Sequence, residues 1–212
     1  MSKKKVIIII LICLIILAAG GLVAYKTFYK EEAKIKTAKK LDSIKGFDYH
    51  LEDRDTELYK KEFKQLKANL ESSTIDYEAY AKSIAKMYII DLYTLDNKIN
   101  KYDVGGTEFI HPDALENYEL NVKDTLYKYI ADNSSSDRTQ ELPEVKDIAI
   151  KSFEESQFKI GDDETDSYEV TLNWTYVKDL KYDTDAVVII VKKDKKLYVV
   201  EQKEVEEETI TK

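Results

Sequence analysis

The side chains with which this sequence would do chemistry are two histidines, one cysteine and a few clustered acids. None of these sets has the spacing of a recognised site. His50 and His111 are far apart, and neither has a Cys, a second His or a carboxylate arrangement at metal-ligand spacing. His111 precedes Pro112 and Asp113, which reads as the entry to a helix. Asp162-Asp163-Glu164-Thr165-Asp166 places acids at alternate positions, as the start of a calcium loop does. Ser167 stands where the sharp turn requires glycine, however, and Asn173 where a bidentate glutamate would close the coordination shell. A solvated hairpin loop is the expectation for that stretch. Gly105-Gly106 lacks the spacing of a phosphate loop and predicts a turn. Asn133-Ser134-Ser135 and Asn173-Trp174-Thr175 match a glycosylation pattern that matters only in a eukaryotic secretory path, and we read both as chance. No catalytic, cofactor-binding or metal-binding set follows from the residues, and no cofactor is expected.

Charge and cysteine usage narrow the class further. The chain has 33 Lys and Arg against 41 Asp and Glu, a net charge of −8. Setting aside Lys3, Lys4 and Lys5 leaves the remainder three units more acidic, which argues against a nucleic-acid partner. The single cysteine, Cys13, lies inside an apolar run, so neither a disulfide framework nor a thiolate metal site is available to the rest of the chain.

That apolar run is the strongest signal in the sequence. Residues 1–5 are short and basic, and residues 6–25 contain no charge. About twenty residues rising about 1.5 Å each span a hydrocarbon core. The competing reading is a cleaved signal peptide, with small residues at Ala18-Ala19-Gly20-Gly21. Against it, Leu22-Val23-Ala24-Tyr25 carries the apolar run past that point. Both flanks are basic: Lys3, Lys4 and Lys5 on one side, and Lys26, Lys30, Lys34, Lys36, Lys39 and Lys40 on the other, the latter offset by Glu31 and Glu32. A tri-lysine tail bearing the start amine is hard to translocate. The favoured arrangement is a single-pass anchor in the cell membrane with the N-terminus cytoplasmic and the C-terminal domain extracytoplasmic.

The rest of the chain divides by period. Residues 26–46 are rich in Lys, Glu and Ala and end on Gly46, which predicts a stalk helix. Phe47 to Leu51 alternates like a short extended piece, and Asp53 to Thr56 offers N-caps. Leu58, Tyr59, Phe63, Leu66 and Leu70 share one helical face. A second helix, capped by Thr74 or Asp76, presents Tyr77, Tyr80, Ile84, Met87, Tyr88, Ile90, Leu92 and Leu95. A third, opened by His111-Pro112-Asp113, aligns Leu115, Tyr118, Val122, Leu126, Tyr129 and Ile130. Residues 133–144 read as a loop. From Val145 the period changes to two: Ile148 and Ile150, Phe158 and Ile160, then Tyr168, Val170, Leu172, Trp174 and Tyr176 on one face. Residues 186–191 and 197–200 form a further strand pair, and residues 204–212 an acidic tail. Most of the sixteen tyrosines fall at core-facing positions.

Helices first and strands last predict an α+β domain over 47–203, with helices packed on one face of an antiparallel sheet. This order, with the segment from Tyr88 to Lys98 and Asp103-Val104-Gly105-Gly106 after it, resembles uncharacterised single-pass envelope proteins of low-GC Gram-positive bacteria. It also resembles the cone-shaped, nuclear-transport-factor-two-like assembly subunits of type IV conjugation machines. The resemblance is topological, covers roughly residues 75–202 and carries no catalytic motif. It implies a curved sheet enclosing a cavity, in which Tyr88, Asp91 and Trp174 are the candidate lining residues. A desolvated Asp91 there would act as a base; a hydrogen-bonded Asp91 is the simpler alternative. Because this fold serves many functions, the expectation is a non-enzymatic extracytoplasmic domain acting in protein–protein interaction or assembly. Its partners are membrane lipid through the anchor and envelope proteins or a second copy of the chain. The alternative is a ligand-binding or catalytic cone with a polar residue in an apolar pocket.

Overall fold

The computed structural model describes residues 38–205. The expected tail, membrane helix and most of the stalk, together with the acidic tail past 205, lie outside the described residues. Among the described residues no helix is long and apolar enough to cross a membrane.

The compact unit begins at Ala38, earlier than residue 47. The end of the expected stalk helix is a strand instead: β1 (Lys40–Ile44) pairs antiparallel with β2 (Tyr49–Glu52). Local composition favours a helix here, but only the hairpin buries Ile44, Phe47 and Tyr49 in the core. The glycine expected to end a helix serves the hairpin turn, where Gly46 has φ +84°.

Two helices follow as the sequence indicates. α1 (Glu57–Leu70) starts on Thr56, whose hydroxyl accepts the Tyr59 N–H, and buries Tyr59, Glu62, Phe63, Leu66 and Leu70. α2 (Tyr77–Tyr93) starts on Asp76, which accepts the Ala79 N–H at 3.0 Å. The apolar residues of α2 nearly encircle it, and accordingly it lies in the middle of the unit, packed on α1 and on the sheet.

The third helix departs from expectation at its end. A 3₁₀ turn (Pro112–Ala114) leads into α3 (Leu115–Asp124), and Thr125, at φ −118° and ψ −92°, stops it. Beyond that point the helical phase is lost. Tyr129, expected on the buried face, is 78 % exposed, while Tyr127 is fully buried in its place.

The C-terminal half is one antiparallel meander in the order β3-β4-β5-β6: β3 (Val145–Ile160), β4 (Asp163–Tyr176), β5 (Asp185–Lys193) and β6 (Lys196–Lys203). The two short alternating pieces read before residue 161 are a single 16-residue strand with register shifts near its start and middle. Val170, Leu172 and Trp174 of β4 form the inner face and are buried against α2. Past Ser156 the β3–β4 ribbon outruns β5, which pairs with β4 only from Ser167 to Asn173. Of the acids expected in a hairpin loop, Asp162 lies in the Gly161 turn, and those from Asp163 to Asp166 begin β4. No group of three potential metal ligands forms among the described residues.

Candidate functional site

Asp91 lies on the last turn of α2, and both its carboxylate oxygens are engaged. Oδ1 accepts the ammonium of Lys98, which is 3 % exposed, and Oδ2 accepts the Gly106 N–H at 2.6 Å. The second contact requires the 103–106 loop to press on the helix end. A Cβ at Gly105 would sit 2.2 Å from the Asp91 carbonyl oxygen, and Gly106 has φ +78°. Two tyrosines hold the same loop: the Tyr127 hydroxyl accepts the Gly105 N–H at 3.2 Å and donates to the Leu92 carbonyl at 2.8 Å, while Tyr118 donates to the Gly105 carbonyl at 2.8 Å. The paired glycines thus serve close approach as well as a turn. An aspartate carrying a cation and a backbone N–H is an anchor for this loop, with no oxygen left as a free base.

Around it lies a polar pocket of about 100 Å³. Arg54 forms a two-pronged pair with Asp103 and donates through Nε to Glu52 at 3.0 Å. Burial raises the Asp103 carboxyl, but the Arg54 pairing and the Ile99 N–H outweigh this and hold it below the usual carboxylate range. Glu108 accepts both the ring Nδ1 and the backbone N–H of His50, so β2 is fixed to the turn after Gly106. Burial nevertheless raises the Glu108 carboxyl.

Asp55 and Tyr59 differ from these paired groups. Asp55 accepts one hydrogen bond, from the Glu52 N–H at 2.6 Å, and has no ion-pair partner among the described residues. Burial pushes its carboxyl up to about 7, with Asp91 and Glu52 adding to the effect and Lys98 opposing it. Tyr59 lines the same pocket at 5 % exposure, and its hydroxyl makes no hydrogen bond among the described residues. Burial, and then the nearby carboxylates of Asp91, Glu108, Asp55 and Glu52, keep that phenol protonated far above neutrality.

A second depression, a cleft of about 480 Å³, opens between α3 and β6. Leu92, Ile110, Val122 and Val199 form its apolar wall, with Asn117, Asn121 and Gln202 at its polar margin. β6 is an edge strand, and the first half of its outer edge is satisfied. Tyr49 donates to the Leu197 carbonyl at 3.0 Å, Tyr80 accepts the Leu197 N–H at 3.2 Å, and the His111 N–H donates to the Val199 carbonyl at 3.1 Å. From Val200 to Lys203 that edge has no backbone partner among the described residues.

The three residues expected to share a cavity are distributed over three settings. Asp91 lines the polar pocket. Tyr88 lines the cleft, where its hydroxyl donates to Gln202 at 3.1 Å. Trp174 is 2 % exposed in the core, 5.0 Å from the Tyr93 ring, and donates to the Tyr176 hydroxyl at 2.8 Å. His111 caps its helix turn as its Pro112 neighbour suggested, accepting the Asp113 N–H at 3.3 Å. Sequence reasoning passed over Asp55, Tyr59, Lys98 and Glu108. Asp55 was visible only as a cap candidate and Tyr59 only as a core residue, and the His50–Glu108 pairing joins residues 58 apart. No protein-family model, curated protein or solved structure matches this chain.

Proposed function

We propose that this chain is a membrane-anchored, non-enzymatic domain on the extracytoplasmic side of the cell membrane, acting in protein–protein interaction or in assembly of an envelope, secretion or conjugation complex. The observation that carries this reading is the edge of β6 from Val200 to Lys203, which has no backbone partner among the described residues and lies beside a mixed apolar and polar cleft. An exposed strand edge is a ready template for an added strand, and neighbouring pockets give such pairing its side-chain selectivity. Asp183, Asp185, Glu201 and Glu204 stand near that edge against Lys203, which favours an extended partner segment carrying basic residues.

Two further features agree with an interaction role. The space between helices and sheet is filled by Trp174, Tyr80, Phe63, Leu66, Ile84 and Met87, all buried. The order of helices before a four-stranded antiparallel meander is compatible with the cone-shaped, nuclear-transport-factor-two-like fold that the resemblance implies. The anchor over 6–25 would hold this surface close to the membrane.

A photo-reactive residue placed at Lys203 on the open edge, in cells, tests the reading. We expect crosslinks to one envelope protein or to a second copy, abolished when Val200 is replaced by proline to block strand addition. The same probe at Lys151 on β3 should capture neither. Equal capture at both positions, or none at Lys203 with normal protein level, overturns the proposal.

A further inference from the structure

We propose that the pocket between β2, α1 and the end of α2 is a binding site for a primary ammonium group, seated between the Asp55 carboxylate and the Tyr59 hydroxyl. The inference is independent of the interaction surface on β6. Four carboxylates line the pocket, Glu52, Asp55, Asp91 and Glu108, against two permanent cations, Arg54 and Lys98. Those cations are already used: Lys98 by Asp91, and Arg54 by Asp103 and Glu52. His50 is committed to Glu108. Among the described residues Asp55 alone of the four has no cation, and one of its oxygens accepts no hydrogen bond from them.

The second observation is Tyr59. A phenol 5 % exposed, lining a pocket and without a hydrogen-bond partner among the described residues, has an oxygen free to accept a hydrogen bond from a molecule in the pocket. A ligand for this pair must bring positive charge for Asp55 and donate a hydrogen bond to the Tyr59 oxygen. An anion is repelled by the lining. A multivalent metal ion does not fit the donor set, since no three potential metal ligands converge among the described residues. An ammonium head has three donors and one charge, and the volume of about 100 Å³ accommodates it. Water, by comparison, takes about 30 Å³ per molecule in the liquid.

The full-length chain in nonionic detergent should be titrated with methylammonium chloride at constant ionic strength, following the Glu52 and Gly106 amide resonances. Saturable shifts are expected. Asp55→Asn should weaken binding about tenfold or more and Tyr59→Phe severalfold, the scale of losing one charged or one neutral hydrogen bond. Tetramethylammonium, which donates no hydrogen bond, should give no saturable shift. Affinity should rise as the pH is raised through 7, because only ionised Asp55 attracts the cation while Glu52, Asp91, Glu108, Lys98, Arg54 and His50 surround it. Shifts that never saturate, or saturable binding unchanged in both variants, overturn the proposal. If Asp55→Asn fails to fold, Tyr59→Phe decides alone. Sedimentation over a range of protein concentrations separates the two sources of ammonium. Self-association reversed by methylammonium assigns the group to a lysine of a second copy, whereas a monomer that binds methylammonium assigns it to a free amine.

Discussion

The polar pocket is lined mostly by charged side chains and the cleft beside β6 mostly by apolar and amide ones, and the two are put to opposite uses. In the pocket, charges are tied pairwise across distant segments: Lys98 to Asp91, Arg54 to Asp103 and Glu52, His50 to Glu108. Each tie joins a loop or strand to the end of α2 or to its neighbours, so most of the pocket is internal framework with one unfilled position at Asp55 and Tyr59. In the cleft, Asn117 and Asn121 stand on the outer side of a short helix, and the backbone edge of β6 from Val200 to Lys203 has no partner among the described residues. A pair of opposite charges held in low dielectric fixes geometry, because removing either member strands the other. An open edge fixes nothing inside the molecule and remains available to a partner. The difference places the structural burden on the pocket and the contact surface on the cleft.

The strongest break in this contrast is Gly105→Ala. The added methyl would meet the Asp91 carbonyl oxygen, a backbone atom that cannot swing aside, at 2.2 Å, so the loop must leave the helix end. We expect a loss of about 3 kcal/mol or more in chemical denaturation. A loss under about 1 kcal/mol would show that the loop does not depend on that approach.

Lys98→Met comes next. It leaves the Asp91 carboxylate buried without its cation, for an expected loss of about 2–3 kcal/mol. The figure is held down because Asp91 keeps the Gly106 N–H and its side chain is 21 % exposed. Asn117→Ala in the cleft, measured in parallel, should stay within about 0.5 kcal/mol. Equal losses at the two positions would erase the distinction between framework and surface.

The mildest effect concerns pH. Asp55 has its carboxyl raised to about 7 from an ordinary 3.8, so between those values the folded state holds a proton that the unfolded chain releases. Its contribution to stability is therefore present at low pH and declines as pH rises through the window between about 4 and 7. Asp103 acts in the opposite sense, because its carboxyl is held low in the folded state. The Asp55 contribution is therefore best isolated as the difference in Tm between the native chain and Asp55→Asn. We expect that variant to gain on the native chain as the pH rises from 4 to 8, with the change centred between 5 and 7. A difference independent of pH would place Asp55 in open water instead of inside the pocket.

Much of the fold was legible because its signals are local. Thr56 and Asp76 cap helices whose buried faces follow from the spacing of Tyr59, Phe63, Leu66, Tyr80 and Ile84. The alternation from Val170 to Trp174 marks an inner strand face, since side chains on a strand point to opposite sides in turn. Two assignments failed where distant partners outweighed local preference. Lys40–Ile44 has a helix-favouring composition but gains a strand partner in Tyr49–Glu52. Tyr129 has helical spacing but comes after a helix already ended at Asp124. The pocket was hidden for the same reason: Asp55, Tyr59, Asp91, Lys98 and Glu108 come from separate elements, and a pairing such as His50 with Glu108 leaves no periodic trace.

The sequence by itself determined the apolar segment at the start, the acidic character of the remaining chain, the helices before strands and the identity of most core residues. Each of these depends on composition or on a repeat within one element. The tertiary structure alone decided that Asp91 is bound by Lys98 and Gly106, that among the described residues Asp55 has no ion-pair partner and the Tyr59 hydroxyl no hydrogen bond, and that half of the β6 edge is covered while the other half has no backbone partner among those residues. These depend on contacts between segments far apart in the chain, where charge pairing and close backbone approach are set by packing.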